Sequence, residues 1–295
     1  MMRFRKQEKN GSYRLQYEGE SGWQDVGTGS EEERIFLTAT GQSAIDGTDP
    51  KPFAPKSYRD FMLSETHYIN AAKTYAKTNR PTAWRIAQIY EKLTGKVHPK
   101  LKPAPLWYRE PIYYMGGHLN FFGHNETIVW PDYSRVMDYE LELGFVLAKP
   151  LFNADPDAAE AAIGGFVVFN DFSARDVQMP EMQSGFGPQK SKHFANAISS
   201  VFVTADEILP KFDTLTGHIS INGQEVASAR PEGLRFTLGQ ALAHVSRGEH
   251  LYPGEFFATG TWPGGCGLEN GHMLSRGDKI TLSIDGVGSL TNTIA

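Results

Sequence analysis

The sequence predicts an α+β fold in which β-structure predominates. The 295 residues include 30 glycines and 17 prolines, and the apolar stretches between them are short. That punctuation belongs to a turn-rich β protein rather than a helix bundle. Asn222-Gly223 and Asp285-Gly286 each sit between apolar-rich segments, where hairpin turns are placed. Helical periodicity is confined to a few segments bounded by Pro, Gly or capping residues.

Taken in order, "YRLQYEGESGWQDVG" (13–27) predicts a hairpin with Gly and polar residues at its turn. Residues 1–56 are expected to form a small β-rich element. "DGTDPKPFAPKSY" (46–58) reads as a Pro-rich linker into a second unit, 57–295. From Tyr58 the spacing of Phe61, Met62, Ile69, Ala72 and Tyr75 predicts a helix, on which Asp60, Ser64, His67 and Ala71 would share a face. A second helix is expected from Pro81 to a stop at Gly95, followed by a loop to Trp107. "PIYYM" and "ETIVWP" read as short strands.

The next strand, "MDYELELGFVLAKP" (137–150), is unusual. Asp138, Glu140 and Glu142 alternate with Tyr139, Leu141 and Leu143, so the acids share one face. That face continues into Gly144, Val146 and Ala148, which read as buried. Asp155 then caps a helix with Pro156 in its first turn. "GFVVFND" predicts a buried strand ending at Asp171. Thr237 and Gln240 make a capping box for a helix that stops by Gly248, and the chain closes with two strands around Asp285-Gly286.

Hydrophobic content of 40% and aromatic content of 12% support a substantial core. The net charge of −5 is spread along the chain and gives no reason for a nucleic-acid or membrane partner. One cysteine, Cys266, excludes an intrachain disulfide and a Cys-based zinc site. No stretch reads as a signal peptide or reaches the ~20 apolar residues of a membrane span. A cytoplasmic protein is expected.

Four constellations carry chemistry. Glu140 and Glu142, with Asp171 at a strand end, would repel one another unless a cation neutralises them, and oxygen ligands suit Mg²⁺, Mn²⁺ or Ca²⁺. An E-x-E pair alone is also what a solvated strand face looks like. Asp60 and His67 could reach one cleft, with His67 as a general base. Arg175, Gln178 and Lys192 flank a Gly/Pro loop and suit a carboxylate and a carbonyl oxygen. The glycines of "FATGTWPGGCGLENG" allow close backbone approach to a ligand, and Glu269 follows them. Cys266 has no evident partner there. Asp138 has no assigned role and reads as a solvated strand start.

In this order the blocks "DYELELGFVL", "GFVVFNDFSARDVQ", "GFGPQKSKHFANAIS", "YPGEFFATGTWPGGCGLENG" and "GDKITLSIDGVGSL" resemble the fumarylacetoacetate hydrolase family over about residues 57–295. The resemblance implies a mixed β-sandwich roll, a homodimer and a divalent cation, Mg²⁺ first, with Mn²⁺ or Ca²⁺ as alternatives. It implies Glu140, Glu142, Asp171 and Asp60 as metal ligands. His67 would be the base that activates water, with Glu269 orienting it. Lys192 would stabilise charge, and Arg175, Gln178, Gly260, Thr261 and Tyr114 would contact substrate. Met62, Ala195 and Asn196 depart from the pattern of the name-giving enzyme, so the pocket is expected to differ from its pocket. The activity implied is hydrolysis of a carbon–carbon bond in a β-diketone or acylpyruvate. The alternatives are decarboxylation, tautomerisation or dehydration of a 2-keto acid through a metal-bound enolate, or a non-catalytic binding protein of the same fold.

Overall fold

The computed structural model describes residues 2–295. Among these, strands form one eleven-stranded sheet, one five-stranded sheet and a two-stranded ribbon, with more strand than helix overall. The α+β class and the mixed β architecture are as the sequence indicates.

The centre of the large sheet is the strand Leu141–Leu147, paired antiparallel with Ile163–Asp171 on one side and Glu255–Ala258 on the other. Glu255–Ala258 pairs in parallel with Ser57–Phe61, which pairs antiparallel with Tyr113–Met115. Leu141, Leu143, Phe145 and Leu147 point into the core shared with the five-stranded sheet, beside Ile280, Leu282 and Leu290. Val146 faces the opposite way, into a second cluster with Tyr58, Phe169, Phe202 and Phe256. The strand is therefore buried on both faces, which explains its near-continuous apolar run. Gly144 is required there because a Cβ would lie 2.3 Å from the Phe256 ring.

Local signals read true in several places. Asn222 and Gly223 both have positive φ, as a tight hairpin between Gly217–Ile221 and Gln224–Ala229 demands. Asp155 accepts from the Ala158 amide, and Thr237 with Gln240 closes a reciprocal capping box. The helix Pro81–Thr94 ends at Gly95 in the left-handed conformation.

Other expectations are corrected. Asp60 and His67 do not share a helix. Residues Ser57–Phe61 are a strand, and the helix Glu65–Asn79 starts only after Ser64, whose hydroxyl accepts from the His67 amide. Pairing with Glu255–Ala258, some 200 residues away, overrides the local helical spacing. The acid strand is also broken. Met137–Asp138 pairs with Ser173–Ala174, Glu140 makes an isolated bridge to Cys266, and the main strand begins at Leu141. "ETIVWP" yields only the two-residue strand Thr127–Ile128.

Residues 1–56 hold the expected hairpin, Ser12–Gly19 with Gly22–Asp25. They also hold the strand Arg3–Lys9, which joins the large sheet through Val201–Thr204, and the helix Glu31–Thr40. The Pro-rich segment packs through buried Phe53, and Lys6 donates to the Asp49 carbonyl at 3.1 Å.

Candidate active site

The strands Ser57–Phe61, Glu255–Ala258 and Ile163–Asp171 run the same way and end at one edge of the large sheet, where Leu141–Leu147 begins. That register sets Asp60 opposite Ala258 and Tyr114, and Glu142 opposite Phe169. Side chains from elements distant in sequence thus converge. One carboxylate oxygen from each of Asp60, Glu142 and Asp171 lies within 4.8 Å of the other two, and all three residues are buried.

Burial, then Asp171, pushes the Asp60 carboxyl well above the ordinary aspartate range. Burial, then Asp60 and Asp171, does the same to Glu142. Asp171 is raised by burial against the opposing pull of Lys192. Asp60 Oδ1 is shielded and has no hydrogen-bond partner. Three close carboxylates and an orphaned oxygen fit a hard divalent cation, which would remove the repulsion and satisfy the oxygen.

Glu140 stands just outside this trio. Its carboxylate pairs with Lys192 through one oxygen and with Arg175 Nη1 at 2.8 Å through the other. Burial would raise the Glu140 carboxyl, but Lys192 and Arg175 together hold it far below the usual range. Lys192 also reaches Asp171 Oδ2 at 2.5 Å. Burial works against the Lys192 charge, yet Asp171 and Glu140 keep it above the ordinary lysine value. Of the four predicted ligands, three converge directly and the fourth is linked through Lys192.

Next to Glu140, which bridges Cys266, His67 Nδ1 lies 2.7 Å from Glu269 Oε2. A carboxylate only accepts, so in the neutral imidazole Nδ1 carries the proton and Nε2 presents a lone pair. Both side chains are buried, and Glu269 Oε2 also accepts from the Gly264 amide. Glu269 sits on the short helix Gly267–Asn270. His67 comes from the first turn of Glu65–Asn79, whose start is propped by buried Trp107 donating to the Met62 carbonyl at 2.5 Å.

Gly260 and Thr261 both serve Glu142. The Gly260 amide donates to Oε2 at 3.1 Å and the Thr261 hydroxyl to Oε1 at 3.3 Å. Gly260 has φ +78° and its missing Cβ would lie 2.2 Å from the Phe61 carbonyl, so only glycine fits. Tyr114 donates to Asp171 Oδ2 at 2.7 Å. Gln178 accepts from Arg175 Nη1 at 2.9 Å.

Three further residues have no role assigned from the sequence. Tyr58 donates to Asp60 Oδ2 at 3.1 Å, and its place two residues before Asp60 on a strand is the signal that would have found it. Asn196, with its amide turned to donate, reaches Asp171 Oδ1 at 3.0 Å. Asp138 is fully buried rather than a solvated strand start. It accepts from the Gly267 amide at 2.7 Å, the Leu268 amide at 3.0 Å and Arg175 Nε at 2.7 Å. It ties Arg175 to the helix that carries Glu269. A cleft of about 820 Å³ lined by Arg34, Ala39, Lys149 and Thr204 shares none of these residues.

Comparison with known proteins bears on this arrangement. The sequence profile described as fumarylacetoacetate (FAA) hydrolase C-terminal matches residues 82–295. A 2,4-didehydro-3-deoxy-L-rhamnonate hydrolase of Sphingomonas sp. is 30% identical over 184 residues, 61% of this chain and 63% of its own length. A mitochondrial oxaloacetate tautomerase of Homo sapiens is 28% identical over 193 residues, 65% of this chain and 60% of its own. The match therefore spans less than two thirds of either relative. The crystal structure of a fumarylpyruvate hydrolase from Pseudomonas aeruginosa in complex with Mn²⁺ and pyruvate superposes with a TM-score of 0.62 at 18% identity, covering 86% of this chain and 93% of that one. At that identity it shows the shared fold. No helix among the described residues is long and apolar enough to cross a membrane.

Proposed function

The chain belongs to the fumarylacetoacetate hydrolase family, and on that premise we propose that it is a divalent-cation-dependent hydrolase cleaving a carbon–carbon bond in a β-diketone or acylpyruvate. The observation that carries the reading is the buried His67–Glu269 pair at 2.7 Å, set beside the carboxylate trio. Tautomerisation and decarboxylation need an enolate but no activated water. A His held by a carboxylate is what water activation needs.

Asp60, Glu142 and Asp171 would hold the cation, with Glu140 as a further ligand once Lys192 turns to substrate. Mg²⁺ is the first choice and Mn²⁺ the second, since every donor is an oxygen. When bound, such an ion supplies Lewis-acid polarisation of neighbouring keto and carboxylate oxygens. The chain's own groups do the rest. His67 Nε2 takes a proton from water, and the hydroxide adds to the distal carbonyl. The carbon–carbon bond then breaks, its electron pair passes to the departing enolate, and His67 returns the proton to that carbon. Glu269 keeps His67 in the tautomer with Nε2 free and stabilises the imidazolium. Lys192 offers positive charge to the developing enolate, and Arg175 with Gln178 orients the substrate carboxylate. The Gly260 amide and Thr261 hydroxyl hold Glu142 in place.

A second reading is favoured by the human relative named as a tautomerase. The same carboxylates and Lys192 would then manage an enolate without water. His67→Ala separates the two. Hydrolysis of acylpyruvates should fall by about 10²–10⁴-fold, while Mg²⁺ affinity, measured by calorimetry, stays close to wild type. Full hydrolysis by that variant would remove the assigned base. The proposal includes a homodimer, which light scattering on the purified chain tests directly.

A further inference from the structure

We propose that His67, Cys266 and Glu269 form a second cation site, suited to a borderline-soft metal such as Zn²⁺, and that filling it disables His67. The existence of this site does not depend on the function proposed above. The claim that occupation stops turnover does rest on that reading.

One ligand atom from each of the three residues lies within 4.8 Å of the others. His67 Nδ1 is 2.7 Å from Glu269 Oε2, and Cys266 Sγ is 3.5 Å from the same oxygen. Zn–N and Zn–O bonds of about 2.0–2.1 Å and a Zn–S bond of about 2.3 Å place tetrahedral ligand atoms about 3.3–3.6 Å apart. The Cys266–Glu269 separation already falls in that range, and opening the His67–Glu269 contact by about 0.6 Å brings it to the lower limit and admits the ion. Glu269 Oε1 is shielded and has no hydrogen-bond partner in the protein. The side chains of His67 and Glu269 are only 5% and 3% exposed.

The frame is fixed. Cys266 and Glu269 lie on one turn, with the Glu269 amide donating to the Cys266 carbonyl, and Asp138 pins the two residues between them. Cys266 also bridges Glu140 through its backbone, which places this set against the carboxylate site. A single thiol cannot make a thiolate-rich site, and that is the ground on which the cysteine count excludes one. A mixed set needs only one. Nitrogen, sulfur and oxygen donors together suit Zn²⁺ or Co²⁺, whereas the all-oxygen trio suits Mg²⁺. A thiolate, a carboxylate and a neutral imidazole also cancel the charge of a dication, so no net charge is buried. Binding releases the Sγ proton, and the imidazole proton moves from Nδ1 to Nε2. With Nδ1 on the metal, the neutral imidazole carries its one proton on Nε2, which changes from acceptor to donor and cannot take a proton from water.

The test is a Co²⁺ titration of the full chain in saturating Mg²⁺, followed by near-ultraviolet absorbance. A thiolate-to-cobalt charge-transfer band should saturate at one ion per chain and disappear on adding Zn²⁺. It should be missing from Cys266→Ser and Cys266→Ala, both checked for native circular dichroism, and kept in Asp60→Asn. Absence of the band in the wild type, or its survival in folded Cys266 variants, overturns the site. On acylpyruvate, Zn²⁺ inhibition measured against each variant's own zinc-free rate should weaken by about tenfold or more without Cys266. A band without inhibition keeps the site and overturns the blockade. A band with no turnover on any acylpyruvate bears on the proposed function alone.

Discussion

Asp138→Asn isolates what the buried acid at the start of the broken strand does. Asp138 is fully buried, and its two oxygens accept from two backbone amides of the Glu269 helix and from Arg175. Asparagine keeps the volume but replaces one acceptor oxygen with an NH₂. Whichever way the amide turns, that NH₂ meets a donor: the Gly267 amide on one side, or Leu268 and Arg175 on the other. Arg175 is left with Glu140 as its carboxylate partner. Breaking a buried pair by removing one charge costs about 3–5 kcal/mol. At roughly 2–4 °C per kcal/mol for a domain of this order of size, the melting temperature should fall by about 6–20 °C. Asp138 lies outside the carboxylate trio, so the folded variant should still bind Mg²⁺. The assay is thermal unfolding with Mg²⁺ calorimetry, and Asp132→Asn on the exposed surface is the control. A melting temperature within about 1 °C of wild type would contradict the assigned role, since an ordinary surface change costs no more than about 0.5 kcal/mol.

Two other perturbations test the carboxylate site. Gly260→Ala forces a Cβ against the Phe61 carbonyl at a φ of +78°, so it should cost about 1–3 kcal/mol or more and weaken Mg²⁺ binding by displacing the amide that holds Glu142; unchanged melting and calorimetry would refute this. The second is the pH dependence of Mg²⁺ stabilisation. Burial, then neighbouring carboxylates, raises Asp60 and Glu142. The cation-free fold therefore holds protons that the unfolded chain releases near pH 4, and the stability this gives is full below about pH 4 and is lost as pH rises from there through the raised folded values. Mg²⁺ should raise the melting temperature little near pH 4 and progressively more toward neutrality. A gain that is flat or shrinks with rising pH would show that these carboxylates do not hold the ion.

What could be read from the sequence was local. The Asn222-Gly223 turn, the Thr237–Gln240 box and the Asp155 cap each depend on residues within a few positions, and each is present. The helix Glu31–Thr40 went unread, although Ser30 accepting from Glu33 and three acids in its first turn are local signals too. Glu140 and Glu142 were legible as acids on a face entering a core, but their division of labour was not. Glu142 is held by Gly260 and Thr261, and Glu140 by Lys192 and Arg175, partners 35 to 119 positions away. Asp60 lies among the carboxylates on a strand and not on the helix its spacing predicts, because parallel pairing with Glu255–Ala258 leaves no mark in the residues around it. Asp138 looked solvated for the same reason. Its donors at Gly267 and Leu268 are about 130 positions away, and only the fold brings them to it.

The most direct test of water activation by His67 and Glu269 is turnover of an acylpyruvate in ¹⁸O-labelled water with Mg²⁺, followed by mass spectrometry of the products. Hydrolysis should place one ¹⁸O in the carboxylate of the released acid, and neither His67→Ala nor the chelator-treated protein should produce it. Consumption of substrate without an ¹⁸O-labelled acid product, as in tautomerisation or decarboxylation, would contradict the assignment.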